Sequence, residues 1–591
     1  MKLEDLKIAC RETDWTVTCT PEEREAEKLH LHIRGERRGE GLLPECTVSF
    51  SIPHTGILYR WTPETNRIPS LLRSSLESGC VLYLPVVSLY GAGGCNRLTL
   101  SLSDPKCENR ILCFRPSGYR SSLNMEIALF CPGDDRRGDS FDVTIHLDFR
   151  ALPWQRIVRE TVSGYEKAFP PMFTPASAFQ PFYSSWYAYF QEVTDEILEK
   201  ECRIARSLGM QTLIQDDGWQ TPNGRDWLHD CGSWPLCREK FPDMAAHVRR
   251  IHELGMKYLI WFAIPFVGKE NPLFEKMRGK FLRCRPDRTV YILDPRYPDV
   301  REHLISLLEH AMKEWGVDGF KLDYLEQFRK RKNDFSEQGG MNGSGDLTAL
   351  EEAPGRDTDS VSDALEKLLH GIRERLTAIR PDVMLEFRQT YIGPVMRQFG
   401  NLMRAGDCPN DVLSNRNRYV LLRLTSGNSA VHSDMLAWNA ADSVENAAMQ
   451  LLNAFFAVPQ ISVRLADLPQ SHREMLNFYL HFMGRHAETL YRSDFLPGPM
   501  EENIPWCAAE SEQERITVVY NAQILTETAM EKTQYLINAT GADRLDVLLS
   551  APCRAELYSP EGRPCGTLDL PAGFRRFPLP NAGMAVLRKI G

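Results

Sequence analysis

Charged side chains interrupt an apolar run at residues 314–328, which read EWGVDGFKLDYLEQF. Lys321 and Asp323 stand two positions apart where a strand buried on both faces would end. Burying such charges is costly unless they are paired or hydrogen-bonded. A carboxylate in this setting can act as a nucleophile or proton carrier, and an ammonium group can bind hydroxyl or carboxylate oxygens. The pair therefore predicts a functional site at this strand end.

Similar residues follow the other short apolar runs of the same region. In chain order they are Trp186, Asp216, Asp217, Trp219, Trp261, Glu386, Arg388, Arg404, Asp407, Asp411, His432 and Asp434. Carboxylates accept hydrogen bonds from sugar hydroxyls, and an indole offers an apolar face to the C–H side of a sugar ring. Glycoside hydrolysis requires two carboxyl groups that flank the scissile bond. The set is typical of a glycosidase.

Two pairs in this set also have structural interpretations. Glu386 and Arg388 equally fit a salt bridge at the edge of the site, and His432 and Asp434 equally fit a structural hydrogen-bonded pair. Dehydrogenases and phosphoryl-transfer enzymes are excluded because their glycine-rich strand-to-helix turns are missing, and no GxSxG motif occurs.

The elements that must position these residues alternate between strand and helix. Eight strand-like runs, from FYSSWY at residues 182–187 to QISVR at residues 460–464, are each followed by a helical stretch or a long loop. This alternation predicts a (β/α)8 barrel over residues 168–494. The C-terminal ends of barrel strands open into the βα-loops, so the strand-end residues are expected to converge on one mouth.

The flanking regions carry short apolar runs that are separated by turn residues. Residues 1–167 predict an N-terminal β-sandwich domain, and residues 495–591 predict a small all-β C-terminal domain. The expected fold class is therefore a multidomain α/β protein with a central barrel. Residues 329–360 are polar and glycine-rich, which favours a solvated insertion; a lid or a subunit contact is the alternative. The sequence leaves open whether the chain forms a homo-oligomer.

Composition limits the partners. The 591 residues include 70 basic and 79 acidic side chains, a net charge of −9, so neither nucleic acid nor an anionic membrane surface is an expected partner. Sixteen cysteines without a CxxC pair indicate reduced thiols, and a zinc site is not expected. The N-terminus lacks a secretory pattern and the longest apolar run has ten residues, which predicts a cytoplasmic protein without a membrane span.

Four segments resemble the barrel of glycoside hydrolase family 36, the α-galactosidase family related to family 27 in clan D. They are TLIQDDGW, KYLIWFAIPFVGKENPLF, ILDPRYPDVREHL and WGVDGFKLDYL. The resemblance implies that Asp323 is the nucleophile and that Asp216 and Asp217 bind the 4- and 6-hydroxyls of the sugar. It also implies that Lys321 lies near the 3- and 4-hydroxyls, with Trp219 closing the DDGW motif among the substrate-binding residues.

The chain departs from that family at three places. RAGDCPND stands where a motif close to SDxTDA carries the acid/base, so the resemblance implies Asp407 for this role, with Asp411 as the rival. Arg404 resembles the arginine that precedes the acid/base in family 27. EFRQTYIGP replaces a glycine-rich ExCxxGGGR, and KLDYLE replaces KWDMNR.

The resulting prediction is a retaining, exo-acting α-glycosidase, with α-galactosidase as the first choice and a small carbohydrate as its partner. Asp323 attacks the anomeric carbon while Asp407 protonates the leaving oxygen and later activates water. Neither a metal nor an organic cofactor is expected. The alternatives are an α-N-acetylgalactosaminidase, a transglycosylase of the raffinose-synthase type and, more remotely, a noncatalytic carbohydrate-binding protein.

Overall fold

The structure, a computed structural model, describes residues 4–25, 27–64, 74–115, 121–284, 290–329, 347–522, 526–528 and 530–590. The basic and glycine-rich part of the predicted insertion, residues 330–346, lies outside the described residues.

Two antiparallel sheets form the N-terminal region. Their strands are β1 Glu4–Cys10, β2 Trp15–Glu25, β3 Lys28–Leu42, β4 Cys46–Pro53, β5 Tyr59–Trp61, β6 Ser74–Ser78, β7 Val86–Tyr90, β8 Asn96–Leu102, β9 Asn109–Phe114, β10 Ser122–Leu129 and β11 Arg137–Asp148. The sheet orders are β1-β4-β10-β9-β6 and β2-β3-β11-β8-β7-β5. In β3, Leu31 and Ile33 are buried while the alternating His30 and His32 are half-buried, the period of two that a sheet with one core face requires. The predicted β-sandwich is confirmed.

Eight parallel strands close into the central barrel. They are β12 Phe182–Ser184, β13 Thr212–Gln215, β14 Lys257–Phe262, β18 Gly319–Leu322, β19 Met384–Arg388, β20 Leu402–Arg404, β21 Ala430–Leu436 and β22 Val458–Ile461. A small antiparallel sheet of β15 Phe266–Gly268, β16 Phe281–Cys284 and β17 Val290–Leu293 extends the loop after β14. Nearly every barrel-strand residue is buried, as expected for parallel strands that helices cover. The predicted barrel is confirmed.

Helices surround the barrel and precede it. They are α1 Trp154–Tyr165, α2 Trp186–Tyr189, α3 Asp195–Ser207, α4 Met244–Glu253, α5 Leu273–Lys276, α6 Pro298–His310, α7 Val361–Ile379, α8 Val412–Thr425, α9 Val444–Leu452, α10 Gln470–Arg485 and α11 Ala487–Arg492. The residue before α3, Thr194, accepts a hydrogen bond from the backbone of Ile197, and Asp243 caps α4 in the same way. Leu198, Cys202 and Ala205 form the buried stripe of α3 at helical spacing.

The C-terminal region is a second all-β unit. Its strands are β23 Asp494–Pro497, β24 Trp506–Glu510, β25 Glu514–Val519, β26 Thr526–Thr528, β27 Thr533–Asn538, β28 Arg544–Leu549, β29 Cys553–Tyr558, β30 Pro564–Leu570, β31 Gly573–Pro578 and β32 Met584–Lys589. They form a seven-stranded sheet, β23-β24-β25-β27-β32-β29-β30, and a three-stranded sheet, β26-β28-β31. The predicted small β-domain is confirmed as an architecture.

One buried cluster runs from Trp61 through the barrel to Met584 and so reaches all three regions, while each flanking region also has a buried cluster of its own. The limits at residues 167 and 494 therefore stay predictions. Helices long and apolar enough to cross a membrane are absent from the part of the chain described above.

Candidate active site

A buried ion pair joins two strand ends at the barrel mouth. Lys321 is the penultimate residue of strand β18. Its Nζ donates at 2.5 Å to Oδ2 of Asp216, the residue that directly follows β13. Burial alone would lower the pKa of Lys321, but the charge of Asp216 raises it above its ordinary value. The lysine is therefore a fixed cation, and its partner is a fixed carboxylate.

Three donors hold the carboxyl group of Asp323. Its Oδ1 accepts from Arg388 Nε at 2.5 Å and from the backbone N–H of Tyr324 at 2.8 Å, and its Oδ2 accepts from Trp261 Nε1 at 3.2 Å. Burial acts to raise the pKa of Asp323, but the charges of Arg388 and Lys321 lower it below the ordinary value. Asp323 is thus an ionised carboxylate in a fixed orientation, the state that a nucleophile needs.

Asp217 has different surroundings from its neighbour. Gln191 Nε2 donates to its Oδ2 at 2.8 Å and Gln220 Nε2 donates to its Oδ1 at 2.6 Å. Burial raises the pKa of Asp217 to about 6. Gly218 follows with φ +113°, and a Cβ there would lie 2.7 Å from the Cα of Gln191. The turn that presents the two carboxylates therefore requires glycine.

Arg404 connects three carboxylates. Its Nη1 donates to Asp434 Oδ1 at 2.6 Å and to Asp407 Oδ1 at 2.9 Å, and its Nε lies 3.3 Å from Glu386 Oε1. The other oxygen of Glu386 accepts from Gln460 Nε2. Because the side chains of Arg404 and Glu386 are each only 1% exposed, both lie behind the mouth rather than in it. Both side chains contact their neighbours in this structure, and their predicted contact with substrate stays a prediction.

The alternative of a Glu386–Arg388 salt bridge is wrong. Arg388 bonds to Asp323, and its Nη2 lies 3.3 Å from Glu326 Oε1, while Glu386 faces Arg404. Arg388 and Arg404 are register partners on β19 and β20. Two guanidinium groups side by side repel each other, so each turns to a carboxylate on a different side.

Asp407 is the open carboxylate of the site, with 61% of its side chain exposed. Burial of the group opposes ionisation, but the charges of Arg404, Lys321 and Arg388 lower the pKa of Asp407 to about 2. The protein without substrate therefore holds Asp407 ionised and accessible.

Asp411 has another task. Its Oδ1 accepts from the backbone N–H of Ser414 at 2.9 Å and its Oδ2 accepts from Ser414 Oγ at 2.6 Å, so it is the N-cap of α8. Both oxygens are occupied by the helix start. The carboxyl group of Asp411 therefore caps α8, and its roles as a substrate ligand and as the rival acid/base stay predictions.

The predicted tryptophans take different places. Trp186 is half-buried in α2 and lies edge-on to Phe190, with 5.3 Å between ring centroids, at the mouth. Trp219 has no exposed surface, and its indole N–H donates to the backbone oxygen of Trp261 at 3.0 Å. Trp219 therefore packs in the barrel core, and its role as a substrate ligand stays a prediction. Trp261 is buried as well and acts as a hydrogen-bond donor to Asp323.

Sequence reasoning missed three neighbours of the site. Gln191 and Gln220 orient Asp217, and half-buried Trp227 lies edge-on to Trp261 at 5.4 Å and parallel to Tyr324 at 6.2 Å. Gln191 and Gln220 stand in loops and Trp227 begins a short 3-10 helix, so none of the three belongs to a periodic pattern. Only the position of the loops, at the C-terminal ends of the first two strands, could have indicated them.

His432 and Asp434 are fully buried and have separate partners. His432 Nε2 lies 2.9 Å from the backbone oxygen of Ala178, and burial lowers its pKa to about 3, so the ring is neutral. Asp434 accepts from Arg404 and from the N–H of Cys408 at 2.6 Å. Each residue therefore has buried partners of its own; the predicted hydrogen bond between them is not among the contacts described, and their contact with substrate stays a prediction.

Known proteins share this barrel. The family model described as Melibiase matches residues 177–341. Alpha-galactosidase 1 of Pediococcus pentosaceus is 27% identical over 146 residues, 24% of this chain and 20% of that protein. The A type blood alpha-D-galactosamine galactosaminidase of Flavonifractor plautii is 29% identical over 169 residues, 26% of this chain and 15% of that protein. The aligned segments thus span a fifth or less of these curated relatives.

The fold likeness is wider than the sequence likeness. A substituted form of the GH36 alpha-galactosidase AgaA from Geobacillus stearothermophilus, solved in complex with raffinose, superimposes with a TM-score of 0.65 at 14% identity. The match covers 98% of this chain and 81% of that one. At this identity the comparison shows the fold alone.

The barrel of this chain is thus similar in fold to that of a GH36 alpha-galactosidase, and its residues 177–341 match the family model described as Melibiase.

Proposed function

We propose that this chain is a retaining, exo-acting α-glycosidase, with α-galactosides as its first substrates. The observation that carries the proposal is the state of Asp323, an ionised carboxylate that Arg388, Trp261 and a backbone N–H hold at the end of β18. A single fixed carboxylate beside a second, open one matches the needs of a double displacement.

In the first step an oxygen of Asp323 attacks the anomeric carbon. The bond to the leaving oxygen breaks, and that oxygen takes a proton from Asp407, which leaves a covalent glycosyl-enzyme. In the second step Asp407, now a carboxylate, takes a proton from water while the water oxygen attacks the same carbon and Asp323 departs. Two inversions give net retention of configuration.

Asp407 must change its protonation state for the first step. Its pKa of about 2 without substrate keeps it ionised, which is the form that the second step needs. A sugar over Asp407 removes water from the carboxylate, which favours the protonated form and raises the pKa. The acid half of the cycle therefore depends on substrate binding.

The identity of the glycone, the sugar bound at this site, is inferred from the two acids at the end of β13. Asp216 and Asp217 lie side by side, and one is tied to Lys321 while the other is held by two glutamines. Such a group of fixed acceptors and donors suits the adjacent 4- and 6-hydroxyls of a galactoside.

We expect kcat/KM for an aryl α-galactoside to exceed that for the matching α-glucoside by at least about 100-fold. The wrong epimer leaves buried polar groups unpaired, which rejects it strongly. Initial rates on the two substrates, with the same phenol, measure the ratio. Equal values, or a preference for the glucoside, would overturn the assignment of galactose while leaving glycoside hydrolysis intact.

Arg388 favours a second candidate, an α-N-acetylgalactosaminidase. A sugar whose anomeric carbon meets Asp323 has its C2 substituent close to any group bonded to that carboxylate. A guanidinium group carries only donors, so an acetamido carbonyl at C2 is a suitable acceptor. Including the 2-acetamido-2-deoxy substrate in the same comparison separates the two glycones.

A change at Asp411 should affect stability rather than turnover. Asp411→Ala removes the N-cap of α8 and is expected to lower the free energy of unfolding by about 1 kcal/mol. The effect on kcat should stay within about threefold, because surface caps do not touch the reacting atoms. Asp243→Ala, which removes the matching cap of α4, is the control in urea unfolding. A loss of activity much greater than that of the control would place Asp411 in the mechanism.

A further inference from the structure

A second cleft, of about 780 Å³, lies at the opposite end of the barrel from the mouth. Ser429 stands just before β21, at the N-terminal end of that strand, and the C-terminal end of α8 lies beside it. Helix α1, helix α11 and strands β23 and β24 supply the other walls. The cleft is thus bordered by all three parts of the chain and is separate from the candidate active site.

Two arginines in this cleft lack carboxylate partners. Arg159 Nη1 donates to the backbone oxygen of Phe495 at 3.0 Å, and Arg423 Nη1 donates to the backbone oxygen of Tyr491 at 2.6 Å. Within the described ranges, no carboxylate lies at ion-pair distance from either guanidinium. Burial lowers the pKa of Arg423 to about 10, and the charge of Arg159 contributes to the same shift. Two neighbouring cations without an anion repel each other, and nothing balances their charge.

Two hydroxyl groups of the same cleft are also unpartnered. Tyr491, 7% exposed, and Ser429, 5% exposed, both line it. The Tyr491 hydroxyl and Ser429 Oγ are buried without a hydrogen-bond partner among the described residues. Buried polar atoms are almost always hydrogen-bonded, so a pair of orphaned hydroxyls in one cleft indicates a missing partner.

When the other charged side chains of the cleft are considered, its positive charge is centred on Arg159 and Arg423. Lys532 bonds to Glu510 at 2.8 Å, which neutralises both. Arg492 extends toward Glu488, and Asp494 and Glu512 are the acids that remain on the walls. Asp494 interacts with Arg159 from beyond ion-pair distance. A bound anion is therefore expected between Arg159 and Arg423.

We propose that this cleft binds a small phosphate-bearing ligand, with its phosphate between Arg159 and Arg423 and within reach of the hydroxyls of Ser429 and Tyr491. Guanidinium groups present paired N–H donors that match phosphate oxygens, and both hydroxyls can donate to the same acceptors. A volume of about 780 Å³ exceeds that of phosphate alone and lies in the range of small-molecule sites. A phosphate monoester of a small polar molecule is the favoured class, and inorganic phosphate shares its chemistry.

Calorimetric titration of the full chain tests the proposal at constant ionic strength, set with sodium chloride. Three probes are used: inorganic phosphate, glucose 6-phosphate and glucose. Saturable binding of either phosphate-bearing probe supports the site, and the tighter of the two identifies the source of the phosphate. Binding of glucose alone, or saturable binding of none, overturns it.

Variants locate the binding. Arg159→Gln and Arg423→Gln should each weaken it by about tenfold or more, because each removes a charged donor. Arg156→Gln is the matched control, since Arg156 lies on the same helix and pairs with Glu160 outside the cleft. Unchanged affinity in the first two variants contradicts the proposal.

A third variant guards against misfolding. Ser429→Ala removes only an unpartnered hydroxyl and should fold normally, with a melting temperature near that of the unchanged protein. Its affinity for the better probe should fall by about threefold or more. An unaltered affinity in a folded Ser429→Ala protein counts against the proposed ligand position. These measurements use no glycosidase assay, so they stand or fall independently of the proposed activity.

Discussion

Replacing Asp323 by alanine is expected to lower kcat for an aryl α-galactoside by roughly 10⁴-fold or more, since no other group can form the glycosyl-enzyme. Azide should restore part of the rate by occupying the space of the lost carboxylate. Because it attacks the anomeric carbon once, the product should be the β-glycosyl azide, with inverted configuration.

The fold of the variant needs a separate check, because Arg388 loses its partner on Asp323. Arg388 still faces Glu326 at 3.3 Å, so a moderate fall in melting temperature is expected rather than unfolding. Asp323→Asn keeps the shape of the side chain and serves as the companion variant. Turnover near the original rate in a folded Asp323→Ala protein would remove the central assignment.

The expected result for Asp407→Ala depends on the leaving group. A sugar leaving group needs a proton to depart, whereas an acidic phenol does not. The loss in kcat/KM should therefore be about 100-fold or more on a natural α-galactosyl disaccharide and much smaller on a dinitrophenyl α-galactoside. Azide should accelerate the second step, this time with retention, because the nucleophile is intact.

Asp411→Ala is the control for this experiment, since its carboxyl group lies close in sequence but caps α8. Equal losses on both substrates, with no response to azide, would assign Asp407 to binding. If Asp411→Ala instead showed the dependence on leaving group, the acid/base would move to Asp411.

Much of the fold could be predicted because the pattern of elements is strong. Alternating strand and helix runs specify the barrel, and short runs between turn residues specify the flanking sheets. The barrel also fixes where strand ends meet, which is why Asp216, Lys321 and Asp323 could be placed in one mouth. Their contacts agree with that placement.

The remaining details depend on side-chain directions that sequence does not specify. Trp219 stands two residues after Asp217 in the DDGW motif, yet its indole turns into the core and bonds to Trp261. Asp411 lies four residues after Asp407, but the start of α8 takes both of its oxygens. The partners of Glu386 and Arg388 follow from the register of β19 against β20, which only the three-dimensional structure provides.

The shared guanidinium of Arg404 has an evolutionary consequence. Its charge serves Glu386 on β19, Asp434 on β21 and Asp407 in the loop after β20 at the same time. A substitution at one of these acids changes the field and the orientation that the other two experience, so their effects will not add. The proposed acid/base, Asp407, is therefore energetically coupled to Glu386 and Asp434 through Arg404. A change at Arg404 would remove the cation that all three acids share, so it would need compensating changes on β19, on β21 and in the loop after β20.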